Sequence, residues 1–137
     1  MKFLHCMIRV KDVPSTLRFY ELLGLKLLRQ RDYPAGQYTL YFLATELGMP
    51  EIELTYNWNE RTYPDGNNFG HLAYLVENIY DLCDRLKSNG ITILRPPRDG
   101  HMAFVKDPNG ISIELLQQNS ALSPQEPWAS MPNVGTW

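Results

Sequence analysis

Residues 4–24 read LHCMIRVKDVPSTLRFYELLG, and residues 70–90 read GHLAYLVENIYDLCDRLKSNG. In each segment a run rich in branched and large apolar residues, typical of a β-strand, leads into apolar residues at helical spacing and ends at a glycine. Each strand also carries a histidine, and His5 and His71 are separated by the same number of residues as the two closing glycines. The chain therefore repeats one strand–helix unit, whose first strand we place at residues 3–10.

Both helices have boundary signals in the sequence. Asp12 and Asn78 precede the helical spacing as N-cap residues, and Gly24 and Gly90 provide the stops because glycine accepts the left-handed conformation that closes a helix. We expect the apolar helix faces to consist of Val13, Leu17 and Tyr20 in the first copy and Ile79, Cys83 and Leu86 in the second.

The repeat extends past each helix. Three β-type runs follow in both halves, and both halves close on the triplet Ile-Glu-Leu, at residues 52–54 and 113–115. Asn109-Gly110 favours a tight hairpin before the second triplet, because both residues tolerate positive φ. We therefore predict an α+β fold of two βαβββ modules with curved mixed sheets. The strands predicted after the helices span residues 25–30, 38–44 and 51–58 in the first module and residues 91–94, 102–106 and 111–116 in the second.

The domain organisation follows from the same pattern. We predict a first module over residues 1–58, a linker over 59–69, a second module over 70–117 and an irregular tail over 118–137. The tail has scattered prolines and no periodicity, but its two tryptophans indicate that it packs on its own domain or on a partner.

Composition excludes several classes of function. The 137 residues are 44% hydrophobic and 20% charged, with a formal net charge of -2, which gives no sign of nucleic-acid binding. We expect a cytoplasmic protein, since no apolar run approaches the roughly 20 residues of a membrane span and no signal sequence follows Met1. Cys6 and Cys83 have no CxxC spacing, which favours reduced thiols over a disulfide or metal ligands.

Four residues at equivalent positions of the repeat could carry chemistry. They are His5 and His71 in the first strands and Glu53 and Glu114 in the last strands. Each residue alone is compatible with an ordinary hydrogen-bonded role, but polar groups on half-buried strands need partners, and one divalent ion would satisfy all four. Imidazole and carboxylate without thiolate suit nickel, cobalt, zinc or manganese.

These residues also carry a family resemblance. The chain resembles the short bacterial glyoxalase I enzymes (lactoylglutathione lyases) of the vicinal oxygen chelate superfamily over residues 1–117. The most specific segments are LHCMIRV at 4–10, IELTYNW at 52–58, GHLA at 70–73 and AFVKDPNG at 103–110.

The resemblance implies a fold, a metal and a reaction. It implies the glyoxalase/bleomycin-resistance fold, with His5, Glu53, His71 and Glu114 holding one divalent ion per site, nickel or cobalt being favoured and zinc possible. The reaction isomerises the hemithioacetal of methylglyoxal and glutathione to S-lactoylglutathione through a metal-bound enediolate. Glu114 is implied as the principal base, with Glu53 assisting.

Substrate contacts and assembly are implied in the same way. Arg9 and Asn57 match positions that bind the γ-glutamyl end of glutathione, and Arg9 lies about 13 Å from His5 along one strand face. The 95–102 segment is shorter than in relatives, which have there a basic residue that binds the glycine carboxylate of glutathione. In this chain we expect Arg98 or His101 to replace that residue. Relatives form a twofold homodimer, so each site takes His5 and Glu53 from one chain and the other two ligands from its partner.

Other functions on this fold remain alternatives. Metal-dependent acyl-CoA epimerases use similar chemistry but carry Gln where Glu53 stands. Thiol transferases and extradiol dioxygenases need only two histidines and one carboxylate. A metal-free small-molecule binding protein would need none of the four ligands.

Overall fold

The computed structural model describes residues 1–59, 62–64 and 66–137. The chain divides into two compact units, Met1–Asp65 (unit 1) and Gly66–Trp137 (unit 2). Residues 60, 61 and 65 of the predicted linker lie outside the described residues. None of the helices in the described ranges is long and apolar enough to cross a membrane.

Unit 1 is built from one helix and a mixed sheet. Among its described residues the sheet has the order β1-β4-β3-β2, with β1 parallel to β4 and the other neighbours antiparallel. The predicted βαβββ order is confirmed here, although β1 begins two residues later than expected and β2 runs past residue 30. The elements are β1 (His5–Arg9), α1 (Val13–Leu23), β2 (Lys26–Tyr33), a 3-10 turn (Pro34–Gly36), β3 (Tyr38–Ala44) and β4 (Glu51–Asn57).

Helix α1 begins and ends where its cap residues predict. The Asp12 carboxylate accepts a hydrogen bond from the Ser15 amide at 3.1 Å, a cap worth about 1 kcal/mol. Gly24 closes the helix with φ +104°, a conformation that L side chains rarely adopt. Tyr20 is buried as predicted, but the rest of the buried face is formed by Thr16 and Phe19. Val13 and Leu17, the other two residues of the predicted face, are only half-buried.

Unit 2 repeats this design with a smaller sheet. In the described chain its strand order is β5-β7-β6, with β5 parallel and β6 antiparallel to β7. Asn78 caps the helix by accepting hydrogen bonds from two backbone amides, as predicted, and Gly90 follows the helix end with φ +82°. The elements are β5 (His71–Val76), α2 (Ile79–Ser88), β6 (Met102–Lys106) and β7 (Ser112–Gln117).

The prediction of a strand at residues 91–94 is wrong. This segment, all of it described, forms no strand. Its last residue donates one hydrogen bond to β6, from the Leu94 amide to the Phe104 carbonyl at 2.8 Å, and the next residue, Arg95, forms an isolated bridge with Phe104. Pro96 and Pro97 follow at once, and proline has no N–H to donate to a ladder, so pairing stops after the bridge. The second unit is therefore βαββ rather than βαβββ.

The tail after β7 is irregular and packs on unit 2. The Leu122 amide donates to the Gly100 carbonyl at 3.0 Å, and the Val134 amide donates to the Leu94 carbonyl at 2.8 Å. Between these two contacts, Trp128 is only 1% exposed. The tail is thus held at several points along its length.

Each sheet presents a polar row on one face. In β1 the residues alternate, so that Ile8 is buried while His5, Met7 and Arg9 are exposed. In β4, Leu54 is fully buried and its neighbours are half-buried. The face opposite the buried residues is the one that carries the histidine and the glutamate of each unit.

Candidate metal centre

Unit 1 brings His5 and Glu53 together. Strands β1 and β4 are parallel neighbours in which His5 lies opposite Glu51 and Met7 lies opposite Glu53, so the two side chains meet diagonally. His5 Nε2 lies 3.4 Å from Glu53 Oε2. The Glu53 side chain is 15% exposed and the imidazole 42% exposed, which leaves the histidine accessible from solvent.

Unit 2 forms the equivalent pair. His71 lies opposite Ser112 in the parallel β5–β7 ladder, and Ala73 lies opposite Glu114, so the diagonal relationship is the same. His71 Nε2 lies 3.1 Å from Glu114 Oε2. The repeat in the sequence therefore corresponds to a repeat in side-chain geometry.

The spacing within each pair suits two adjacent ligands of one ion. Nitrogen and oxygen ligands bind a borderline divalent ion at about 2.1 Å, so two ligands at right angles stand about 3 Å apart. The donor sets present in the two pairs fit such an ion. Over the described ranges no group of three or more His, Cys, Asp or Glu side chains could hold a metal, so each pair offers only two ligands.

A cation borders the pair of unit 1. Arg29 donates two hydrogen bonds to Glu51, and its guanidinium carbon lies 3.8 Å from the centre of the Phe42 ring. The hydrogen bonds with Glu51 raise the pKa of Arg29, and the same bonds lower the pKa of Glu51. Phe42 in turn lies opposite Glu53 in the β3–β4 ladder, so the Arg29–Glu51 ion pair and the His5–Glu53 pair share one sheet face.

Sequence reasoning missed this arginine, although a signal was present. Arg29 and Arg95 are separated by 95 − 29 = 66 residues, the same offset as His5 and His71 (71 − 5 = 66). In unit 2, Ser112 stands at the position equivalent to Glu51, and Arg95 instead donates to Asp99 at 2.8 Å.

Aromatic rings border the pair of unit 2. Phe104 lies opposite Glu114 in the β6–β7 ladder and meets the His71 imidazole edge-on, with ring centroids 5.5 Å apart. Trp137 stacks on Phe104 with centroids 5.8 Å apart and an interplanar angle of 27°. The surroundings of the two pairs are therefore chemically different, cationic in one and aromatic in the other.

The residues predicted to bind substrate fall into two groups. Arg9 and Asn57 lie at the same ends of the parallel neighbours β1 and β4, and Asn57 donates to the Tyr63 hydroxyl at 3.0 Å. Arg98 instead donates to two residues of the tail, the carbonyl of Met131 and the side chain of Asn133, at 2.9 and 2.8 Å.

His101 lies exposed in the turn before β6, with its backbone amide donating to Asp99 at 2.9 Å. Neither Arg98 nor His101, both among the described residues, forms a hydrogen bond or an ion pair with His71 or Glu114. Their contact with the substrate stays a prediction, whereas the contact of Arg98 with the tail is direct.

Residues 2–115 match the family model of the Glyoxalase/Bleomycin resistance protein/Dioxygenase superfamily. The chain belongs to this superfamily. Its relatives include a probable lactoylglutathione lyase of Synechocystis, 45% identical over 128 residues that cover 88% of this chain and 98% of the relative. A lactoylglutathione lyase of Neisseria meningitidis is 41% identical over 128 residues, covering 88% of this chain and 93% of the relative.

Solved structures give the same result. The trypanothione-dependent glyoxalase I of Leishmania major superposes with a TM-score of 0.81 at 39% identity, over 86% of this chain and 87% of that one. Glyoxalase I of Zea mays superposes with a TM-score of 0.78 at 38% identity, over 87% of this chain and 45% of the maize chain. The two-sheet α+β architecture is therefore that of the glyoxalase fold.

Proposed function

We infer that this protein is a lactoylglutathione lyase, which isomerises the hemithioacetal of methylglyoxal and glutathione to S-lactoylglutathione. Relatives with that activity in their names are 40–45% identical over nearly the whole of their own length. The observation that carries the inference is the pair of equivalent His–Glu contacts, because the reaction needs a charge that can stabilise two neighbouring oxygens and a carboxylate beside the carbon acid.

We propose that His5, Glu53, His71 and Glu114 together hold one divalent ion, with nickel or cobalt favoured over zinc. When bound, the ion supplies a Lewis acid for the two adjacent oxygens of the substrate. Each unit supplies one imidazole and one carboxylate, so a complete four-ligand site needs both the His5–Glu53 pair and the His71–Glu114 pair.

The two pairs are proposed to come from different chains of a twofold homodimer. Twofold symmetry then creates two identical sites, each with His5 and Glu53 of one protomer and His71 and Glu114 of the other. The accessible imidazoles, 42% and 43% exposed, are compatible with ligands that await a partner surface.

Glu114 is proposed as the principal base, which takes the proton from one carbon and returns it to the next. Its neighbour Phe104 is buried, so the carboxylate has an apolar side that limits competing water. Glu53 lies on a face that already holds the Arg29 cation and is proposed to assist. Proton transfer by a positioned carboxylate is typically worth about 10²–10⁴-fold in rate.

The thiol of the substrate is proposed to be glutathione. Arg9 and Asn57, at one end of β1 and β4, would bind its γ-glutamyl group through charge and hydrogen bonds. The relative from Leishmania is described as trypanothione-dependent, so the thiol needs a direct test. The free thiols of Cys6 and Cys83 are consistent with the reducing cytoplasm, where such a co-substrate stays reduced.

An ultraviolet assay of thioester formation tests the proposal. Metal-free protein is reloaded with nickel, cobalt or zinc in turn and given methylglyoxal with glutathione or with trypanothione. We expect activity with at least one metal and the highest kcat/KM with glutathione. Glu114→Gln should lower kcat at least about 100-fold. Glu46→Gln, at an exposed glutamate in the loop between β3 and β4, serves as the matched control. Absence of thioester with every metal and both thiols would contradict the proposed function.

A further inference from the structure

Each His–Glu pair has a phenylalanine beside it, and the two phenylalanines are covered differently. Phe42 and Phe104 lie opposite Glu53 and Glu114 in their ladders. The guanidinium of Arg29 covers Phe42, whereas the indole of Trp137 covers Phe104. Trp137 thus occupies in unit 2 the place that an arginine of the sheet occupies in unit 1.

The tail carries Trp137 to this place along a fixed route. Arg98 holds the tail at Met131 and Asn133. The Val134 amide donates to the Leu94 carbonyl, and the Leu94 amide in turn donates to the Phe104 carbonyl. Gly135 then passes over the Leu94 side chain, with a Cβ position 3.8 Å from it. The stack of Trp137 on Phe104 is therefore the end of an anchored segment.

Part of the Trp137 indole is exposed to solvent beside the His71–Glu114 pair. Trp137 is 41% exposed although its ring lies on Phe104, whereas Phe104 itself is only 8% exposed. Phe104 contacts the His71 imidazole edge-on, so Trp137 is one ring removed from a proposed metal ligand. The family model ends at residue 115, so this aromatic surface lies outside the part of the chain that matches the family.

We propose that Trp137 is a specificity-determining residue that forms an aromatic wall for the substituent of the 2-oxoaldehyde. This inference rests on the proposed function. A planar aromatic substituent can cover the open indole, gaining apolar contact and ring stacking, whereas the methyl group of methylglyoxal covers little of it. The enzyme is thereby biased toward hemithioacetals of aromatic 2-oxoaldehydes relative to the same site without the wall.

The test compares two substrates in the metal-loaded full chain. We measure kcat/KM for the glutathione hemithioacetals of phenylglyoxal and methylglyoxal and take their ratio. Trp137→Ala should lower the ratio about threefold to tenfold, and Trp137→Phe should restore most of it because a smaller ring keeps part of the wall. Thr136→Ala, an exposed neighbour in the same segment, is the matched control and should leave the ratio as in the wild type.

A second measurement distinguishes a specific contact of Trp137 with the substituent from a general loss of folding in the variant. The affinity of S-benzylglutathione relative to S-methylglutathione should fall in Trp137→Ala by a similar factor, while the thermal midpoint of unfolding shows whether the chain is intact. Loss of activity in equal proportion for both aldehydes, or an unchanged ratio, would overturn the inference. A wild-type protein inactive with both aldehydes would instead contradict the proposed function.

Discussion

Arg29 and Glu51 form a two-bond ion pair across a strand that lies between them. Their N–O distances are 2.5 and 2.7 Å, and β3 separates β2 from β4 in the sheet. The guanidinium crosses over Phe42 of the intervening strand, with its carbon 3.8 Å from the ring centre. This arrangement commits two guanidinium nitrogens to Glu51, while the charge of Arg29 still acts on nearby Glu53, the proposed metal ligand.

Glu51→Gln should therefore weaken metal binding. Without its charged partner, Arg29 is free to turn to Glu53 and compete with the ion, and we expect about a tenfold loss of metal affinity, measured by competition with a chelating dye. The double variant Glu51→Gln/Arg29→Met should recover most of the loss because the competing charge is gone. Equal losses in the single and double variants would contradict this explanation.

Mixed dimers test the shared site. A His5→Ala chain and a Glu114→Ala chain are each expected to be nearly inactive. After refolding of an equal mixture, half of the dimers are mixed and one site in each is intact, so activity should reach about a quarter of the wild-type value. A mixture as inactive as its components would mean that all four ligands come from one chain.

The tail packs against Gly100 so closely that a side chain at this position would clash with it. A Cβ at this glycine would lie 1.9 Å from the Leu122 carbonyl oxygen, and its φ of +67° disfavours any side chain. Gly100→Ala should therefore cost about 2 kcal/mol or more in free energy of unfolding and expose the tail to limited proteolysis. Gly66→Ala, where a Cβ would meet nothing within 4 Å, is the control.

Asp99 should make stability depend on acid pH. Burial raises the pKa of this carboxyl, but hydrogen bonds from Arg95 and from the amides of His101 and Met102 outweigh burial and lower the pKa from 3.8 to about 2. A lowered pKa contributes stability above the unfolded value that is lost as pH falls from about 4 toward 2.

We expect Asp99→Asn to be less stable than the wild type by about 1 kcal/mol at neutral pH, a modest value because the Asp99 side chain is 47% exposed. Urea unfolding across the acid range should show the difference shrinking as pH falls. A constant difference would contradict the role of ionised Asp99.

Cys83 should not react with thiol-alkylating reagents in the native protein. The thiol is fully buried in α2, and burial raises its pKa to about 12. Iodoacetamide at mildly alkaline pH should modify Cys83 only after unfolding in urea, with peptide mapping as the readout. Modification of Cys83 in the native protein at the rate of the half-exposed Cys6 would contradict its placement.

Local signals predicted the helices and most strands. Asp12 and Asn78 cap their helices as their side-chain chemistry requires, and the alternation in β1 places His5 on the exposed face. The segment at 91–94 has the residues of a strand, but it pairs with β6 only at its end, and the two prolines after Arg95 prevent the ladder from continuing on the other side of the bridge. Strand propensity alone does not count hydrogen bonds that the next residues are unable to make.

The candidate site could be predicted only where the repeat holds. The His and Glu pairs follow the repeat, but the surroundings of the pairs break it, because Ser112 replaces Glu51 and frees Arg95 for another partner. Trp137 has no counterpart in the first half and lies in a segment without periodicity. Its stack on Phe104 depends on long-range contacts such as Arg98 with Met131, which no local pattern encodes.

The parallel pairing of β1 with β4, and of β5 with β7, sets the order of events during synthesis. In each unit the histidine is made in the first strand and its glutamate in the last, so the two ligands meet only after the helix and the intervening strands have folded between them. A nascent chain would have no preformed half-site until the last strand of a unit is complete, and the proposed four-ligand site needs a pair of each kind. Metal uptake would therefore report that folding of both units is finished.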